Sequence, residues 1–315
     1  QVMVQYQWKK TTLQEEFDSF MRDALRGRLP KQHKKKETRK KNLTIDSILT
    51  NLVSDLVPEN DVALLLSGGV DSMSVGFSAH RLGKKITAYT FKTDKHDSYD
   101  YNKAKEVADK MNWDFVGVVI PTENLKEDFF KLLNEYNCIK KTHFECLYPF
   151  LYVYPRIKEQ YVLSGWAADG YYGLSKKAMI NYRHSLELLN QFRDDYFKPE
   201  NRAGYCWHER LAKKHNKVFC SPYLSNEIKE FFYSKDWQTI NKPQQKIHVR
   251  TSFGKFKLFG DIKNHLNLQI DSQINKVFEA LISDEEINFK NRNRIMDICK
   301  DWIKRKNDDQ LLINM

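Results

Sequence analysis

The sequence predicts an α/β fold in which a parallel β-sheet is flanked by helices, with a mostly helical C-terminal part. Three observations lead there. Apolar runs of strand length alternate with segments of helical period over residues 43–180, the alternation that parallel strands and their crossover helices produce. A Gly-Gly turn directly follows the first of those runs, where open parallel sheets bind ligands. From Asn181 onward helical spacings dominate.

Taken in order, residues 1–42 form a basic N-terminal arm with a short helix. Leu13, Phe17, Phe20, Met21 and Leu25 recur at helical spacing. Twelve Lys or Arg against five Asp or Glu place +7 of the net +11 charge in the first 45 residues. The densest part, Lys31–Lys41, has no apolar period and reads as a solvated run. It serves either as a plain linker or as a contact for nucleic acid, an acidic partner or a phosphorylated substrate.

Residues 43–180 are expected to form the ligand-binding core. Ile45, Ile48, Leu49, Leu52, Val53 and Leu56 trace one helix face, and Pro58–Asp61 break it before a strand at Val62–Leu66. The turn Ser67-Gly68-Gly69-Val70-Asp71-Ser72 follows, then a helix over Met73–Leu82 that stops at Gly83. Next come a strand (Ile86–Phe91), a helix (Tyr99–Met111), a strand (Phe115–Ile120) and a helix opening at Thr122 after Pro121. A short strand at Tyr161–Leu163 ends in Ser164-Gly165-Trp166-Ala167-Ala168-Asp169-Gly170. Residues 181–315 read as helical. Ser283-Asp284-Glu285-Glu286 has capping-box spacing, Ile295, Ile298, Cys299, Trp302 and Ile303 share a face, and Lys304–Met315 should fray.

Composition narrows the function. Hydrophobic residues at 41% and charged residues at 30% are those of a globular protein, not of a fibre or a disordered tail. The apolar runs fall far short of the ~20 residues that cross a bilayer, and no leader pattern opens the sequence, so a cytoplasmic protein without membrane partners is expected. Five scattered cysteines imply free thiols, and Cys206, His208, His215 and Cys220 match no zinc spacing.

The chemistry concentrates at Ser67–Ser72. Gly68 and Gly69 let the backbone N–H groups of Ser67 to Val70 form an anion nest at a helix start, and the hydroxyls of Ser67 and Ser72 suit phosphate oxygens. Asp71 fits among phosphates only with a bridging divalent cation, so the turn points to ATP with Mg²⁺. The Ser164–Asp169 turn repeats the logic, and Asp169 would be a second Mg²⁺ ligand opposite Asp71.

The first turn resembles the PP-loop of the ATP pyrophosphatases, whose S-G-G-x-D-S motif holds pyrophosphate and serves cleavage between the α and β phosphates. Over Leu43–Phe256 the chain resembles the synthetase domain of asparagine synthetase and its relatives, including β-lactam synthetase. The resemblance rests on this loop, on Ser164–Asp169, on Ser221-Pro222-Tyr223-Leu224-Ser225 and on Lys246–Arg250. It implies a PP-loop, Rossmann-like sheet and adenylation chemistry. Carried over by position, Leu65 and Thr90 line the adenine pocket, Ser164 and Gly165 touch the AMP moiety, and Asp71 and Asp169 bind Mg²⁺. Lys246 is the expected partner of the leaving pyrophosphate, with Lys255 and Lys257 as rivals.

Two departures from the resemblance matter. Trp166 and Gly170 stand where asparagine-forming members carry Glu, and an indole cannot abstract a proton, so free aspartate is not the expected substrate. It can stack on a flat acceptor, or simply pack beside the strand. The first cysteine is Cys138, so no glutaminase with a terminal Cys is expected among these residues; an amine, ammonia, or a separate glutaminase chain would supply nitrogen. The expected activity is adenylation of the carboxylate of a small-molecule or nucleotide substrate, with transfer to ammonia or an amine. The alternatives are a PP-loop enzyme that adenylates a tRNA or DNA base, which the basic arm favours, and a nucleotide-binding fold without catalysis.

Overall fold

The structure, a computed structural model, describes residues 43–136, 138, 141–174, 176–198 and 203–259. The basic arm with its Leu13–Leu25 helix, the Ser283–Glu286 capping box, the Ile295–Ile303 face and the Lys304–Met315 tail lie outside the described residues. The chain divides into two units, Gln1–Leu43 and Thr44–Met315, and all described residues except Leu43 belong to the second.

The centre of that second unit is a five-stranded parallel sheet in the order β3-β2-β1-β4-β5: β1 (Asp61–Leu65), β2 (Lys85–Thr93), β3 (Asp114–Ile120), β4 (Tyr161–Ser164) and β5 (Val218–Cys220). From β1 the chain winds outward to β2 and β3, then returns to the other side of β1 for β4 and β5. The strand order therefore reverses between β1 and β4, and open sheets form their ligand crevice at the carboxyl ends beside such a reversal. Register sharpens this: Leu65 pairs with Ser164, so the turns that leave β1 and β4 start side by side.

Side-chain alternation sorts the core into two layers. Val62 and Leu64 of β1, Ala88 of β2, Leu163 of β4 and Cys220 of β5 pack on one face. That face is covered by α1 (Ile45–Leu56), α2 (Val70–Arg81), α3 (Tyr99–Met111) and the later α11 (Asn226–Tyr233), α12 (Trp237–Asn241) and α13 (Ile247–Ser252). Ala63, Leu65, Tyr89, Val162 and Phe219 point to the other face, under α4 (Leu125–Tyr136), α5 (Lys141–Leu147), α6 (Phe150–Val153) and α10 (Ala203–Lys214). Burial on both faces explains why Val62–Leu65 of β1 and Val218–Cys220 of β5 are short continuous apolar runs. Between β4 and β5 lie also α7 (Ala168–Tyr172), α8 (Lys176–Asn181) and α9 (Leu186–Tyr196). Among the described residues no helix is long and apolar enough to cross a membrane.

Most elements stand where periodicity and capping place them. The α3 helix begins at the Ser98 cap, whose hydroxyl accepts the Tyr101 N–H at 3.1 Å, and ends at Asn112 in the left-handed region. Strand ends shift by one or two residues, and two helix starts and one strand differ more. The α2 helix opens at Val70, not Met73, because Gly69 acts as its N-cap and the turn chemistry of Val70–Ser72 is the first helical turn. The α4 helix opens at Leu125, not Thr122, because Asp94 holds Thr122 through its hydroxyl (2.7 Å) and N–H (3.3 Å). The region expected to be helical contains β5, whose three residues are too few to show a period.

A buried cation ties this helical region together. Arg193 of α9 is fully buried and faces no carboxylate among the described residues. Its guanidinium donates to the carbonyls of Tyr171 (3.0 Å), Phe232 (2.9 Å) and Lys235 (3.2 Å), and to Asn190 Oδ1 (2.7 Å). Those carbonyls lie at or just beyond the ends of α7 and α11, where helix C-termini carry partial negative charge. Burial pulls its pKa down to about 10, which leaves it cationic at neutral pH. Arg193→Met should lower unfolding free energy by about 3 kcal/mol, since several buried carbonyls lose their donor. Urea denaturation measures this, and a loss below about 1 kcal/mol would show that those carbonyls find other partners.

Candidate active site

The β1 turn is built by its glycine and its serines. Gly68 sits at φ +74°, and a Cβ there would lie 2.6 Å from the Lys103 side chain. Glycine is therefore required on both conformational and steric grounds. Ser67 Oγ accepts the Gly69 N–H (3.2 Å), while Ser72 Oγ accepts the Ser67 N–H (3.3 Å) and donates to the Gly69 carbonyl (3.1 Å). In this conformation the two hydroxyls brace the turn. Asp71 then occupies the first turn of α2, beside its N-terminus.

The β4 turn backs directly onto it. A Cβ on Gly165 would lie 2.5 Å from both the Asp71 carbonyl carbon and the Ser72 nitrogen, so only glycine permits this approach. Trp166 donates its backbone N–H to Ser164 Oγ (3.1 Å), and its carbonyl accepts from Ser221 Oγ (2.6 Å) at the end of β5. Ala167 adopts φ +74°, after which α7 begins with Asp169 in its first turn. Both aspartates thus stand at equivalent places, on the first turn of a short connection from adjacent strands.

Lys246, from the turn before α13, joins them. Its Nζ donates to Asp71 Oδ2 at 2.5 Å and to Asp169 Oδ1 at 2.6 Å. The Lys246 side chain is 9% exposed and that of Asp71 18%, whereas that of Asp169 is 69% exposed, so the cluster is dry on one side and open on the other. Burial pulls the ammonium pKa down, but the two carboxylates more than offset this and leave it above the usual lysine value. Burial pushes the Asp71 carboxyl up to about 6, Lys246 opposing and Asp169 adding. The lysine backbone is left-handed (φ +56°), and its N–H is held by Asn241 Oδ1 at 3.2 Å. Behind the cluster, the Tyr172 ring lies 4.9 Å from Nζ, and Tyr223 hydrogen-bonds Ser74 (2.7 Å), whose hydroxyl holds the Asp71 carbonyl (2.7 Å).

The donor set fits a hard divalent cation. Asp71 Oδ1 is buried and has no hydrogen-bond partner among the described residues, and the Asp169 carboxylate stands across from it on the open side. Two carboxylates are the protein ligands that Mg²⁺ usually takes alongside phosphate oxygens, and Asp71 and Asp169 are the residues that would hold it.

Above the sheet's carboxyl edge lies a cavity of about 460 Å³. Of the residues read from sequence, Leu65, Ser67, Asp71, Ser72, Thr90, Ser164 and Gly165 line it, together with Trp166. Gly68, Gly69 and Val70 shape the turn without lining the cavity, while Asp169 and Lys246 meet at Asp71. Of the three candidate lysines, Lys255 and Lys257 are exposed and it is Lys246 that reaches the aspartates. Sequence reasoning assigned no role to Tyr172, Asn241 or His208, whose places come from contacts that no local spacing encodes.

Comparison with known families matches residues 44–260 to asparagine synthase. The chain belongs to the asparagine synthase family. The match includes both turns, Ser221–Ser225 and Lys246. The chain is also 39% identical over 82 residues to the microcin J25-processing protein McjC of Escherichia coli, a stretch covering 26% of this chain and only 16% of that protein. Among solved structures, NMN synthetase from Francisella tularensis aligns at 17% identity over 69% of this chain and 96% of that one, with a TM-score of 0.30. The asparagine synthase family is one of ATP-dependent amide-ligase synthetase domains.

Gly165→Ala tests the contact between the two turns. The added Cβ must push the α2 backbone, so stability should fall by about 2 kcal/mol and nucleotide affinity with it. Thermal unfolding and nucleotide titration measure both, and unchanged affinity would show that the turns need not touch.

Proposed function

We propose that this protein adenylates a substrate carboxylate with ATP, releasing pyrophosphate, and passes the acyl group to ammonia or an amine. The carrying observation is the convergence of Asp71, Asp169 and Lys246 at the carboxyl ends of β1 and β4, beside a cavity of nucleotide size.

The chain's own groups suggest a division of labour. The Ser67–Ser72 turn and the α2 N-terminus hold the β and γ phosphates through backbone N–H groups. Asp71 and Asp169 would hold Mg²⁺, which when bound neutralises charge on the phosphate oxygens. Lys246 carries a positive charge at the same point and offsets what develops on departing pyrophosphate. The substrate carboxylate attacks the α-phosphorus, pyrophosphate leaves, and the acyl-adenylate forms. The amine then attacks the acyl carbon and AMP departs, which replaces a poor oxygen leaving group by a good one.

Trp166 lines the cavity where asparagine-forming relatives carry Glu, which supports an acceptor larger and flatter than free aspartate. The McjC match, to a protein named for processing microcin J25, supports a carboxylate carried on a larger product undergoing maturation. A separate glutaminase chain or an amine of the substrate would supply nitrogen. The basic run Lys31–Lys41 favours a second reading, in which the adenylated group is a nucleic-acid base.

Pyrophosphate/ATP exchange, screened over candidate acids and nucleotides, tests the proposal. With the right substrate the products should be AMP and pyrophosphate, and Asp71→Ala should slow exchange by about 10²-fold, roughly 3 kcal/mol of transition-state stabilisation. Release of ADP and phosphate would refute it.

A further inference from the structure

Tyr172 is not among the residues lining the cavity, yet the Lys246 ammonium lies over its ring, 4.9 Å from Nζ to the ring centre. That is inside the ~6 Å at which an aromatic face attracts a cation. The ring and one of the two carboxylates come from the same short helix. Asp169 and Tyr172 stand three residues apart on α7, so both reach the ammonium from one helix face.

The surroundings fix this pair. Asn241, itself buried, donates from Nδ2 to the Tyr172 carbonyl (2.9 Å) and accepts the Lys246 N–H at Oδ1 (3.2 Å), so one carboxamide fastens both backbones. The Tyr172 ring is fully buried, and Phe232 meets it edge-on at 5.0 Å. Its hydroxyl pairs with His248 Nε2 at 3.4 Å and meets that of Tyr223. Held from both ends, the ring cannot swing away from the lysine.

What the ring adds follows from competition for negative charge. Asp71 and Asp169 hold the ammonium, and they are also the residues that would hold Mg²⁺. Carboxylates that share their charge with a second cation grip an ammonium less. An aromatic face stands outside that competition, because a hard divalent cation takes oxygen ligands whereas an ammonium is drawn to the ring.

We infer that Tyr172 is a positioning residue for the reaction proposed above, its ring face keeping the Lys246 ammonium beside the two turns, where the departing pyrophosphate gathers charge. It acts through the lysine and touches no reacting atom. The inference rests on the reading of the turns as a triphosphate site, and adds to it a neutral seat for the cation that no motif contains.

Ring electronics separate attraction from packing. Tyr172→Phe keeps the ring, and 3,5-difluoro- and 3,4,5-trifluorophenylalanine at the same position nearly keep its shape while drawing charge off its face. Equilibrium binding to the full chain is measured for Mg-pyrophosphate and for Mg-ATP. Mg-pyrophosphate affinity should fall at each step, by about ten-fold in all between phenylalanine and the trifluoro ring. Mg-ATP affinity should fall by no more than about three-fold, because the oxygen joining its α and β phosphates has not yet gained the leaving-group charge. Should a substituted chain fail to fold, the unsubstituted protein still decides. Ring current places the Lys246 ε-CH₂ protons upfield of ordinary lysine positions, and they should remain upfield when Mg-pyrophosphate is added. A flat series, equal losses for both ligands, or ε-CH₂ protons that move to ordinary positions with pyrophosphate overturns the inference and leaves the triphosphate site standing. If neither ligand binds the unsubstituted protein, the inference and the proposed function fall together.

Discussion

Two carboxylates at the ends of neighbouring strands repel each other, and here both reach one ammonium. Since Asp71 Oδ2 and Asp169 Oδ1 lie 2.5 and 2.6 Å from Lys246 Nζ, they are at most about 5 Å apart. At an effective dielectric of about 20 that repulsion is roughly 3 kcal/mol, less on the open Asp169 side where water screens it. The fold tolerates this because a cation from a distant segment is held between them. Much of the surrounding structure serves that arrangement: Asn241 fixes the lysine backbone, Tyr172 lies beside the ammonium, and Ser74 with Tyr223 secures the Asp71 backbone. A divalent cation held by Asp71 and Asp169 would answer the same electrostatic demand.

The backbone contributes as much as the side chains. The β1–β4 register and the contact at Gly165 place two helix starts side by side, so N–H groups and partial positive charge converge where phosphates are expected. Both core layers participate, because the aspartate turns feed the first face while the apolar wall of the cavity belongs to the second. Arg193 joins the ends of helices from α7 to α11 and so steadies the element that carries Asp169.

Much of this was legible in the chain. The helices Ile45–Leu56 and Tyr99–Met111 stand where the sequence pattern places them, because each buries one stripe on the sheet. The two turns were readable because Gly, Ser and Asp carry local conformational and chemical meaning. What stayed hidden depends on distance in sequence. The β5 strand is only Val218–Cys220, and its pairing with β4 defines it more than its composition does. The start of α4 was displaced by an Asp94–Thr122 contact that no window around Pro121 contains. Lys246 was the expected lysine with Lys255 and Lys257 as rivals, and what separates it from them, burial against two aspartates, is not written in any local spacing. His208 carried no usable signal, since its surroundings come from α6, the 3₁₀ turn at Tyr154–Arg156 and β5.

The sharing of one ammonium by two turns also sets an order of assembly. During synthesis β1, β2 and β3 emerge together and can pair through nearby contacts, whereas the β1–β4 pairing must close a much longer loop. The lysine that quiets the two aspartates comes later still, beyond β5. A nascent chain halted after β4 would therefore expose a crevice whose opposed charges have no counter-ion from the protein, and only on translation past residue 246 does the polypeptide supply its own.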